Sequence, residues 1–177
     1  MLNIYIIIAE ALVMLFELRF LLQSSSADYY HPFTQAILKL TNPIVNIRFI
    51  RGMHVKQFFV GGLLVAFVIS FVFWTAFGSW IRISMEYNLL LGLLMPLKVF
   101  GYLIFMLLVV QALTSWLPST RHISYYCYQL TAPLVAPVQR IIPPIGMIDI
   151  SLMIVLIAMY AINSLFYRLF GMLWAIL

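Results

Sequence analysis

The sequence predicts an all-α integral membrane protein, with four transmembrane helices in two parallel repeats. Each repeat carries an interfacial amphipathic helix in its internal linker. Three observations lead there. Of 177 residues, 65% are hydrophobic and only 8% charged, against about 45–50% and about 25% in soluble domains. That leaves too few charged side chains to cover a water-soluble globule. Long stretches carry no charge at all, and one short segment recurs 90 residues downstream. A single cysteine excludes an internal disulfide framework.

The first span covers residues 4–22 and contains Glu10, Glu17 and Arg19. A cleavable signal is the alternative, because Ser24, Ser25, Ser26 and Ala27 are small. A signal needs a basic start and an uninterrupted apolar core. Here the first basic residue is Arg19, and two acids break the core, so the segment reads as a span.

The linker 23–57 follows. Pro32 suits a helix start, and Phe33, Ile37 and Leu40 form one apolar stripe at helical spacing. Pro43 disfavours helix at the residue before it, so this helix is expected to end there.

Residues 58–81, 24 in all, carry no charge and form the second span. Residues 99–120 are 22 without charge. They place a third span at about 96–117, kinked or started near Pro96, with Leu89 to Leu97 as its leading end. The linker 118–149 precedes a fourth span at 150–170, whose first 18 residues are uncharged. About 20 apolar residues cross a hydrocarbon core of ~30 Å as helix.

The repeat joins Leu40-Thr41-Asn42-Pro43-Ile44-Val45 to Leu130-Thr131-Ala132-Pro133-Leu134-Val135. Ile123, Cys127 and Leu130 echo the first stripe. Residues 1–88 and 89–177 are therefore two units. An even number of crossings separates equivalent helices, so the halves run parallel rather than inverted. Lys39, Arg48, Arg51, Lys56, Arg121 and Arg140, six of the ten basic residues, lie in the two linkers. Both linkers are therefore expected in the cytoplasm, with both termini outside.

The second linker has Pro133, Pro137, Arg140, Pro143, Gly146 and Asp149 in the order Leu-x-x-Pro, Pro-x-x-Arg, Pro, Gly-x-x-Asp. This pattern resembles the YggT family, also called YlmG, of small bacterial and plastid membrane proteins. The resemblance extends over both halves, with a degenerate first copy. Pro43 is kept, but Ile47 stands at the second proline. Arg48 or Arg51 supplies the charge, and Gly52-Met53-His54-Val55-Lys56 replaces the Pro, Gly and Asp. The resemblance implies an inner-membrane protein tied to osmotic tolerance and cation uptake, to cell division, or to assembly of cofactors and membrane complexes.

Two groups of residues could carry function. Glu10 and Glu17 lie seven apart, on one helix face, and a carboxylate in lipid usually faces protein or a water path. Aligning the repeats places Lys98 about one helical turn from Glu10. The plainer reading lets Glu10 snorkel, leaves Lys98 at the interface and pairs Glu17 with Arg19 or Arg48. The second group is the proline-rich stretch 133–149, where the prolines forbid a long helix and leave one short turn around Arg140. It suits anionic headgroups or a protein partner, or serves only as a tether. Asp149 is read as an N-terminal carboxylate of the fourth span, with Ser151 nearby, or as a partner of Arg140.

Tyr125, Tyr126 and Tyr128 fit the lipid interface. His31, His54 and His122 lack metal-ligand spacing. Cys127 packs on the apolar stripe, and Gly62-x-x-x-Ala66 permits close helix contact. No nucleophile elbow, phosphate loop or zinc spacing is present. The positive charge follows from topology, so no nucleic acid is invoked.

The expected function is non-catalytic and cofactor-free, in osmotic tolerance or membrane organisation, exerted through the cytoplasmic linkers. The alternative is a small oligomeric cation-conducting protein using Glu10 and Glu17.

Overall fold

A computed structural model describes residues 2–25, 27–47, 54–55, 58–141 and 150–177. It is helical nearly throughout. Helix α1 is Leu2–Ser24 and α2 is Pro32–Val45. A two-residue antiparallel pair, β1 (His54–Val55) and β2 (Phe58–Phe59), follows. Then come α3 (Gly61–Trp80), α4 (Met85–Ser115), a 3-10 turn (Pro118–Thr120), α5 (Arg121–Ile141), α6 (Ile150–Phe170) and α7 (Met172–Ile176).

Among the described residues three helical stretches are long and apolar enough to cross a membrane: Gly61–Trp80, Met85–Ser115 and Ser151–Phe170. They carry the second, third and fourth expected spans. Helix α1 matches the first in position, but it holds three charged residues. The contacts form two units. One comprises Met1–Ser24, Asp28–Phe100 and Ile176–Leu177; the other comprises Ser25–Ala27 and Gly101–Ala175. The division falls inside α4.

In the first unit, α1 packs along α3. Gly62 makes this possible, because a Cβ there would sit 2.8 Å from the Phe16 carbonyl oxygen. A backbone atom cannot swing aside, so the small residue sets the approach of the two helices. Helices α3 and α4 form a tight hairpin. Arg82 takes a left-handed φ of 64°. Ile83 N–H donates to Gly78 O at 2.8 Å, and Arg82 N–H donates to Ser79 O at 3.2 Å. This is a Schellman cap with arginine where glycine is usual. Asn88 is buried against Gly78, where any Cβ would collide with its side-chain amide. Further down the hairpin Trp74 Nε1 donates to Met95 Sδ at 3.2 Å.

Several sequence expectations need correction. Of the two alternatives at Pro96, a start there is overturned: α4 begins at Met85, has residues 89–97 as part of its leading end and runs through the proline. Proline at 96 removes an N–H and frees the Gly92 carbonyl four residues back. Ser70 on α3 donates its hydroxyl to that carbonyl at 2.8 Å, so the orphan is satisfied inside the protein. Nor do the linker helices stop at their prolines. Helix α2 contains Pro43, and α5 contains Pro133 and Pro137. These rings stand on exposed sides. Of the residues whose carbonyls are freed, Lys39 and Pro133 are exposed and Gln129 is partly so.

Helix α5 is thus one 21-residue helix rather than a short turn around Arg140. It is also bent. Tyr128 Oη donates to Gln139 Oε1 at 3.1 Å, although eleven residues of straight helix would part their backbones by about 16 Å. The prolines lie on the opposite side from this pair, which is the side a proline bend opens.

The apolar stripes also shift. In α2 the buried residues are Thr34, Ile37, Leu38, Thr41 and Val45, while Phe33 and Leu40 face outward. In α5 Tyr126, Cys127, Leu130, Thr131 and Val135 are buried and Ile123 is exposed. The reason is polar: each stripe rotates to put its threonine on the preceding helix.

Candidate functional site

Helix α1 carries the first group. Glu17 is wholly buried, and among the described residues neither of its oxygens accepts a hydrogen bond. The expected pairing with Arg19 is not made. Two residues on a helix are turned about 200° apart, so Arg19 faces away, toward α2. Its Nη1 donates to Thr41 Oγ1 at 2.6 Å, Asn42 Oδ1 at 2.9 Å and the Leu38 carbonyl at 3.3 Å. Its Nε donates to Gln23 Oε1 at 3.1 Å. Arg19 is 3% exposed and holds α2 onto α1. Arg48, the other partner considered for Glu17, lies outside the described residues.

Glu10 is half-buried on α1, and Lys98 is buried on α4. Each lies in the electrostatic field of the other. The fold therefore brings Glu10 and Lys98 within electrostatic range of each other. Glu17 joins no such pair among the described residues.

The second group lies on α5. Pro133, Pro137 and Arg140 are exposed, with Arg140 in the last turn. Pro143, Gly146 and Asp149 lie outside the described residues, as do Arg51, Gly52, Met53 and Lys56 of the first linker. Helix α5 is anchored by Thr131, whose hydroxyl, with one proton to donate, lies 3.0 Å from both Gln111 Oε1 and the Cys127 carbonyl. Ser124 donates to the Gln111 carbonyl at 3.1 Å. Beside this anchor opens a cleft of about 470 Å³ lined by Gln111, Ser115, Arg121, Ser124, Tyr125, Tyr128 and Leu152.

The remaining candidates have local roles. His31 Nδ1 accepts from the Phe33 N–H at 3.3 Å and caps α2. Among the described residues no cluster of histidine, cysteine or carboxylate could hold a metal ion. Cys127 is buried, and burial pushes its thiol above the ordinary range.

Sequence reasoning missed Arg19, Gln111 and Arg121 as site residues. A signal existed in the repeat itself. Thr41 and Thr131 are its only polar identities, and both turn out to be buried tethers.

Residues 89–170 match the CCB3/YggT family. A Vibrio alginolyticus protein from the region 3′ of proC is 35% identical over 167 residues, 92% of this chain and 90% of that protein. A Haemophilus influenzae protein is 35% identical over 172 residues, covering 97% and 92%. The Escherichia coli protein YggT is 35% identical over 159 residues, covering 88% and 83%. All three are named as uncharacterized proteins. No solved structure matches.

Proposed function

The chain belongs to the YggT family, and on that premise we propose that it is a non-catalytic scaffold of the bacterial inner membrane. It crosses four times, with α1 as the first span, in two parallel repeats whose basic linkers face the cytoplasm. It acts through α2 and α5, which lie at the interface and offer their outer faces to anionic headgroups and a membrane-protein partner. Osmotic tolerance and membrane organisation are its physiological setting.

One observation carries this reading. Thr41 and Thr131, 90 residues apart, each fasten a linker helix to the helix before it, through Arg19 and Gln111. Neither linker helix is a loose tether. Each is held in one rotation, with a fixed outer face. On α2 that face includes Lys39, and on α5 Arg121, Tyr125 and Arg140. Basic and aromatic residues on such a face suit the headgroup layer.

Reporter fusions near residues 50 and 135 test the topology; both should report cytoplasm, and opposite sides would end the reading. A photoreactive residue at exposed Arg140 should capture one defined membrane partner or lipid class; indiscriminate capture would count against a scaffold.

The buried Glu17 favours a second reading, a small cation-conducting oligomer whose acidic lane runs from Glu17 to Glu10 and Lys98. A buried carboxyl without hydrogen bonds is costly and often functional. Purified protein in liposomes should then pass cations, and Glu10→Gln with Glu17→Gln should abolish the flux. No flux from the unmodified protein would remove this reading.

A further inference from the structure

We propose that the cleft at the start of α5 is a binding site for a phosphate ester, with Arg121 as its anion-binding residue. This rests on the reading of α5 as an interfacial helix and names what one part of its face would hold.

Charge comes first. Residues 101–175 contain three arginines and one carboxylate, Asp149. Among the described residues no carboxylate lines the cleft, and Arg121 is the one charged side chain there. Arg121 is exposed, and among the described residues it has neither a hydrogen bond nor an ion pair. Its guanidinium is thus open to an anion supplied from outside the chain. The phenol of Tyr125, 64% exposed, is likewise without a partner among the described residues. A guanidinium with five fixed donors, beside a free phenol, matches the several acceptor oxygens of a phosphate.

The rest of the wall is already committed and rigid. Tyr128 is bonded to Gln139, Ser124 to the Gln111 carbonyl, and Gln111 to Thr131. These side chains shape the cleft without competing for the anion, and the Ser124 and Tyr128 oxygens can still accept from a polyol. Leu152 supplies an apolar wall. A volume of about 470 Å³ lies within the usual range for small-ligand sites.

Two sources could supply the ester: a phospholipid headgroup or a soluble sugar or glycerol phosphate. Trp116 and Leu117, 76% and 57% exposed, stand just before the cleft. They would enter the acyl boundary beside a headgroup. Arg140, at the far end of the bent helix, is not part of the cleft.

The full chain, purified in detergent, would be titrated by calorimetry with short-chain phosphatidylglycerol, with sn-glycerol 3-phosphate, and with the matching uncharged diacylglycerol. Phosphatidylglycerol should saturate a single site. Arg121→Gln should weaken it by about tenfold or more, and Arg121→Lys by less, because lysine keeps the charge and loses the fork. Tyr125→Phe should weaken it a few-fold, and Arg168→Gln, in the last turn of α6 and outside the cleft, should leave it unchanged. Glycerol phosphate binding as tightly as the lipid would assign the site to a soluble ester, with the phosphate chemistry upheld. Diacylglycerol binding equally well, or Arg121→Gln binding like the unmodified protein with its helical circular dichroism intact, would overturn the proposal.

An impermeant thiol label at Ser119→Cys separates this failure from failure of the topology. Binding with labelling from outside would keep the site and sink the cytoplasmic placement. No binding with labelling from the cytoplasm would do the reverse.

Discussion

Ser70 donates its hydroxyl to the Gly92 carbonyl at 2.8 Å, the one carbonyl that Pro96 strips of its helical partner. The bond joins α3 to α4 in the buried centre of their hairpin; Ser70 is fully buried. In lipid no water is at hand to satisfy a carbonyl, so the neighbouring helix must do it. Gly92 lets the helices come this close, because a Cβ there would lie 2.7 Å from the Phe71 ring.

Ser70 and Pro96 should therefore be coupled. Ser70→Ala leaves a buried carbonyl unsatisfied and should cost about 1–3 kcal/mol. In a Pro96→Ala background residue 96 regains its N–H, the helix can close its own bond, and the same serine change should cost clearly less. A double-mutant cycle on unfolding in mixed detergent micelles measures the difference. Additive costs would mean that serine and proline act independently.

Arg19 and Thr41 give the second case. The guanidinium is charged and buried, so each of its bonds is of the stronger kind, about 1.5–3 kcal/mol. Thr41→Val keeps the shape and removes the oxygen. It should destabilise the docking of α2 by that amount, seen as faster proteolysis at the 23–31 connection. The matching change Thr131→Val removes a bond between neutral groups and should cost about 1 kcal/mol. Equal effects would contradict the asymmetry between the two tethers.

Glu17 runs the other way. Its carboxyl is desolvated and, among the described residues, unpartnered. Replacing it by leucine removes an uncompensated polar group and should stabilise the fold by about 1–3 kcal/mol. Glutamine brings a new unsatisfied amide and should gain little. Detergent unfolding of the two variants decides the matter; strong destabilisation by leucine would mean that Glu17 has a partner in the folded protein.

Much of the helical layout was legible because charge is so scarce here that its gaps mark the helices directly. Residues 58–81 and 150–167 need no more than that. The prolines mislead for a definite reason. A proline breaks a helix only if the carbonyl it frees has nowhere to go, and the sequence does not show that Ser70 faces Gly92. The stripe on α2 was misplaced by a similar route. Phe33 and Leu40 are the more hydrophobic residues, yet Thr34 and Thr41 are buried, because Thr41 meets Arg19 of α1 and Thr34 bonds the Asp28 carbonyl. That Glu10 and Lys98 come within electrostatic range of each other follows in the sequence only from aligning the two halves. The cleft at Arg121 was not, since it takes the end of α4, the start of α5 and Leu152 of α6 to build it.

Cys127 offers a probe of whether α5 stays docked. The thiol is buried against the preceding helix, and burial raises it above its ordinary value of 9.0. A raised acid is held protonated by the fold. Its contribution to stability is present below the ordinary thiol range and is lost as the pH rises through the elevated folded value. Alkylation by a maleimide at neutral pH should therefore be slow in the native protein and fast after denaturation, because only the exposed thiolate reacts. Thr131→Val, which loosens the anchor one turn away, should speed native labelling. Between pH 7 and 9 the native rate should rise with pH without levelling off, whereas the denatured chain should begin to level near 9. Fast native labelling at neutral pH would mean that the buried face of α5 opens readily, and the fixed outer face required of a docking helix would be lost with it.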